Sequence, residues 1–208
     1  MLPRFIRRSP LLPALFAGVS LAVTRTMADF TQATMIDSTI RWTIAYLIFG
    51  ATYGVIVWYL VQTIVAWPRI MMIGALSFGI TYLLLVIVFA FFFDGSALFP
   101  LGWPWSGLLA FALLGGLGTA TLTRYTDMRD SQSYLGVGSF IVFGLGQLLD
   151  LAIRNSLFPL LNISPVTISI ALTVHLVANF CCGLVIGLGL WLLLTKRSRY
   201  LHSVPNTA

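Results

Sequence analysis

Five stretches of this chain, at residues 42–67, 70–93, 103–123, 134–153 and 166–195, are apolar for long enough to cross a bilayer. A span needs about 20 helical residues. Breakers separate them: Pro68-Arg69, then Asp94-Gly95 through Pro104, Arg124 to Ser133, and Arg154 to Pro165. Composition agrees with this reading, because charged residues make up only 9% of the chain and mean hydropathy is +0.96. A soluble fold of this size, with roughly 25% charged residues, covers its surface in a way this chain cannot. Lipid is the solvent that suits such a surface, and closed helices are the structures that satisfy their backbone there. The expected fold class is therefore all-α, an integral membrane bundle.

Residues 11–28 are shorter and less apolar, with Arg25 near their end. They read as a sixth span, a secretory signal or an organelle presequence. Charge placement separates these choices. With five spans and the whole chain retained, the twelve Lys and Arg residues divide six against six, which orients nothing. With 11–28 as a sixth span, Arg4, Arg7 and Arg8 change sides and the division becomes nine against three. Six spans in one membrane domain, 1–208, then place both termini in the cytoplasm and Arg25, Arg41 and Arg154 outside. A cell inner membrane is the expected location, with an organelle membrane as the alternative. Trp42, Trp67, Trp103 and Trp105 lie at span ends, as an aromatic belt requires. Ser9-Pro10 and Ser164-Pro165 each read as an N-cap followed by a first-turn proline.

Scattered arginines without a clustered basic face argue against nucleic acid as a partner. Cys181 and Cys182 are adjacent within an apolar run and read as small packing residues. No metal-ligand spacing, catalytic triad or nucleophile elbow occurs, so neither a cofactor nor an enzymatic activity is expected.

Internal similarity accompanies the spans. Gly74-Ala75-Leu76-Ser77-Phe78 matches Gly136-Val137-Gly138-Ser139-Phe140, and Leu-Phe-Pro-Leu recurs at 98–101 and 157–160. Gly50, Gly54 and Trp58 share their spacing with Gly183, Gly187 and Trp191. These matches predict a repeated helical pair, two or three copies in parallel. Small residues at four-residue spacing, such as Ala14-Gly18-Ala22 and Ala112-Gly116-Ala120, allow close helix approach, within this chain or against another subunit.

Ionisable groups at membrane depth are the first place to look for function. Asp37, Arg41, Asp94, Asp127, Arg129 and Asp130 lie near the water on this reading. Gln147, Asp150 and Arg154 instead share one face of the fifth span, and His175 and Asn179 share one face of the sixth. At 1.5 Å per residue, Gln147 and His175 both lie about 10–15 Å from the intervening loop. Their meeting would form either a polar ligand pocket or a hydrogen-bond clamp between helices.

The stretch from Gly50 through Tyr53, Gly54 and Trp58 to Pro68, with His175, Gly183 and Gly187 later, resembles small bacterial inner-membrane proteins of unknown function. The pattern departs from them at Asn179-Phe180, where such proteins carry a tyrosine-glycine step. The resemblance implies a multi-helix bundle and no chemistry. Two functions are expected from the sequence. The first is a non-enzymatic accessory or assembly subunit of a larger membrane complex, with lipid and other membrane subunits as partners. The second is a small transporter or channel, weighed down by the few polar residues in helices one to four, chiefly Gln62.

Overall fold

The computed structural model describes residues 9–29, 35–61, 64–92, 104–160 and 168–203. Within them lie α1 (Leu11–Asp29), α2 (Met35–Val61), α3 (Trp67–Phe92), α4 (Pro104–Arg124), α5 (Gln132–Leu160) and α6 (Ile168–Ser203). All six are long and apolar enough to cross a membrane, residues 11–28 among them. The chain is an all-α bundle. Gln62, Asp94, Trp103, Ser164-Pro165 and the first Leu-Phe-Pro-Leu copy fall outside the described residues.

Local chemistry explains the helix ends. The Ser9 hydroxyl accepts a hydrogen bond from the Leu11 amide at 3.3 Å, the expected N-cap. Pro68 occupies the first turn of α3, where its missing N–H costs nothing, and the Ile70 amide bonds back to the Ala66 carbonyl at 3.2 Å. α5 continues past Arg154 and includes Pro159, whereas its apolar run ends at Ile153. A proline in the last turn forfeits a single backbone bond, so the helix carries on.

Each helix packs on its sequence neighbours, and α6 packs on α1, so the six form a closed ring. Three pairs approach most closely: α2 with α3, α4 with α5, and α6 with α1. Glycine makes this closeness feasible. A Cβ on Gly50 would overlap the Gly74 carbonyl oxygen, and one on Gly54 would lie 2.6 Å from the Ile70 oxygen. In the same register, a Cβ on Gly183 would overlap the Ala17 oxygen, and one on Gly187 would lie 2.5 Å from the Pro13 oxygen. At the third pair, a Cβ on Gly116 would lie 3.2 Å from the Gly136 oxygen. The predicted repeat is thus a helical pair in threefold cyclic order, and its third copy joins the two ends of the chain.

The ring is filled by aromatic side chains. Phe143 stacks on Phe78 with centroids 5.8 Å apart and lies 6.0 Å from Phe49 and 5.2 Å from Phe111. Such pairs contribute about 0.5–1.5 kcal/mol each beyond their burial. Outward, every helix presents large apolar side chains, among them Phe16, Ile48, Ile80, Leu117, Ile141 and Leu192. In lipid that face costs nothing, and packing of small residues supplies the cohesion.

A candidate polar site at one end of the ring

Helical spacing sets the site. Along α6, His175, Asn179, Gly183 and Gly187 follow one another at four-residue steps, and so do Ala14, Gly18, Ala22 and Thr26 along α1. The glycine seam between these helices therefore runs directly into polar residues. Gln147, Asp150 and Arg154 of α5 face the same end.

The structure brings all five expected residues together and adds two. Arg154 Nε contacts Asp150 Oδ1 at 3.0 Å, an i, i+4 ion pair. Gln147 Nε2 donates to Asp150 Oδ2 at 3.4 Å. Arg154 Nη2 donates to Asn179 Oδ1 at 3.1 Å, and Nη1 donates to His175 Nδ1. From α1, Arg25 Nη1 donates to Gln147 Oε1 at 2.9 Å, while Asn179 Nδ2 donates to Thr26 Oγ1 at 3.0 Å. The bonds form a circuit from α1 through α5 and α6 back to α1.

Burial is uneven across this circuit. Asn179 is 0% exposed and Asp150 1%, whereas the Arg154 side chain is 15% exposed and His175 is half-buried. Arg154 and His175 thus form its less buried rim. Asp150, held by Arg154 and Gln147, fixes the guanidinium from below. Charge-assisted contacts of this kind are the strong ones.

Arg25 is the main difference from the sequence reading. Charge placement puts it outside, near the end of the first span. Instead it is 8% exposed, with its guanidinium carbon 4.7 Å from the Phe111 ring centre and 5.9 Å from that of Trp42. Ring faces and a hydrogen bond replace its water. Trp42 is likewise packed inward, stacked on Tyr46 at 5.7 Å, and does more than mark the membrane edge. The stepping of Ala14, Gly18 and Ala22 into Thr26 is the sequence signal that could have placed α1 in the site.

A second polar group lies deeper. The Tyr53 hydroxyl sits 3.2 Å from Ser139 Oγ and receives a bond from Thr119 Oγ1 at 3.1 Å. All three residues are buried. Thr123 and Thr126 continue from Thr119 towards the far end of α4, each bonded to a backbone carbonyl one turn earlier. Nothing in their spacing along the sequence singles these hydroxyls out.

The remaining candidates separate from the site. Asp127, Arg129 and Asp130 are exposed in the connection before α5, as expected. The Asp37 side chain lies outside the described residues. Cys182 is fully buried against Gly146, and Cys181 is half-buried and unbridged. Among the described residues no three His, Cys, Asp or Glu side chains converge. The small-residue stripes are used inside the chain, since Gly50, Gly54, Gly116, Gly183 and Gly187 all face a neighbouring helix. No family model, curated protein or solved structure matches this chain.

Proposed function

We propose that this chain is a small multi-pass carrier or channel for a polar solute, and that the Arg154–His175 rim is where the solute is first held. One observation supports this most. The three close helix pairs share a register, so His175 and Asn179 on α6 occupy the slots of Trp42 and Tyr46 on α2 and of Leu108 and Ala112 on α4. Leucine and alanine are sufficient to pack that slot in α4. Packing therefore does not require histidine and asparagine in α6, nor the buried Arg25 and part-buried Arg154 beside them. Ionisable groups at membrane depth are expensive and typically mark solute or ion paths.

The scarcity of polar residues in helices one to four spoke against transport. Arg25, Thr26, Tyr53 and Thr119 now supply buried polar groups from α1, α2 and α4. The division of arginines supports a network end that faces outside.

The test converts the α6 slot into the α4 one, His175→Leu with Asn179→Ala. Purified wild type and variant are compared by thermal shift against amino acids, short carboxylates, sugars and inorganic phosphate. One class is expected to stabilise the wild type alone. Identical responses from two equally folded proteins would end the carrier reading.

One observation favours the accessory-subunit reading. A groove of about 380 Å³, lined by Leu113, Gly116, Leu117, Ala120, Gly136 and Phe140, opens on the outer face of α4 and α5. Native mass spectrometry after mild detergent extraction distinguishes the two. A stoichiometric membrane partner supports the accessory role, and a lone chain supports the carrier.

A further inference from the structure

We infer that Phe143 is the gate of a path along the axis of the ring, joining the Arg154–His175 site to the buried hydroxyls of Tyr53, Thr119 and Ser139. This rests on the carrier reading above and adds a route and a closing element to it.

The argument starts from the face of α5. Ser139, Phe143 and Gln147 follow at four-residue steps, and Asp150 and Arg154 extend the same face. One side of a single helix therefore carries a hydroxyl, a phenyl ring and the polar network in succession. Ser139 and Gln147 are eight residues apart in the sequence, about 12 Å along the helix. Phe143 fills the interval, and it is 0% exposed.

The facing helix is shaped for the ring. On α4, Phe111, Gly115, Thr119 and Thr123 also follow at four-residue steps. A Cβ on Gly115 would overlap the Phe143 ring. The ring thus lies over a glycine, with Phe111 towards the network and Thr119 towards the hydroxyls. Phe49 and Phe78 close it from α2 and α3. Turning the Phe143 side chain off Gly115 would leave a gap between two polar groups, bounded by the Gly115 backbone on one side and by the Phe49, Phe78 and Phe111 rings on the others. An apolar constriction of this kind holds a path shut by excluding water.

Planar bilayers in potassium chloride provide the test. The wild type is expected to be nearly silent, and Phe143→Ala to raise the conductance at least about tenfold, as removal of a hydrophobic constriction does. Adding Tyr53→Phe and Thr119→Val to Phe143→Ala should reduce that conductance, because the hydroxyls line the opened route. Circular dichroism and gel filtration check the fold, and Phe143→Val is read in the same way if the alanine variant fails to fold. A folded variant with wild-type conductance would overturn the gate. So would a conductance indifferent to Tyr53 and Thr119, which indicates leakage around the bundle.

The two readings fail separately. If Phe143→Ala conducts while the His175→Leu, Asn179→Ala variant keeps every solute response, the path stands without the solute site. If the solute response depends on His175 and Asn179 but Phe143→Ala stays silent, the site stands without this gate.

Discussion

The α6–α1 seam and the α2–α3 seam have one register and different chemistry. In both, two glycines four residues apart rest on the backbone of the partner helix. One and two turns further along, α2 has Tyr46 and Trp42, stacked on each other, with Tyr46 close to Tyr82. At the same positions α6 has Asn179 and His175, bonded to Arg154 and Thr26. The glycines settle how closely the helices approach. The residues that follow settle whether that end of the seam is aromatic or polar. Packing and chemistry are thus carried by different residues of the same stripe.

The comparison breaks first at its shared part. Gly74→Val and Gly183→Val each push a side chain into a facing backbone, which cannot move aside as a side chain could. Each should cost more than about 3 kcal/mol, the upper range of ordinary overpacking. Unfolding in mixed detergent micelles followed by circular dichroism would show it. A valine variant as stable as the wild type at either seam would refute the common register.

A smaller effect sharpens the polar side. Asp150→Leu alone leaves the part-buried Arg154 guanidinium without its carboxylate, and should cost about 3 kcal/mol, the low end for breaking a buried pair because Arg154 keeps some exposure. Replacing both, Asp150→Leu with Arg154→Leu, should recover most of that stability, because an apolar pair of similar volume escapes the cost of burying charge. The same double variant should lose the solute response. If it stayed as unstable as the single variant, the network would be a structural requirement of the fold.

The smallest expected effect belongs to Asn179→Ala, which gives α6 the residue that α4 has at Ala112. Interhelical hydrogen bonds in membranes contribute about 0.6–2 kcal/mol. The same unfolding assay should register a loss in that range, and a loss several times larger would mean the two slots are not equivalent.

How much of this was legible beforehand differs between fold and site. Apolar length and charge placement marked out six spans, because a bilayer imposes a minimum helix length and an orientation preference on any chain. The α5 and α6 faces of the site were legible too, since Gln147, Asp150, Arg154, His175 and Asn179 depend on helical periodicity alone. Arg25 and Thr26 were not, because their role depends on which helix closes the ring against α6. Tyr53, Thr119 and Ser139 were invisible for a similar reason. Each is an ordinary hydroxyl on its own helix, and only their meeting across the ring makes them a group.

By itself, then, the sequence determined an all-helical membrane bundle, the faces of its last two helices and the small residues at its seams. These follow from local period and from the solvent. The tertiary structure alone decided that the glycines serve internal seams, that α6 closes on α1, and that Arg25 turns inward. It also decided that Phe143 separates two polar groups. All four are pairings between residues far apart in the chain, which helical period along one segment does not encode.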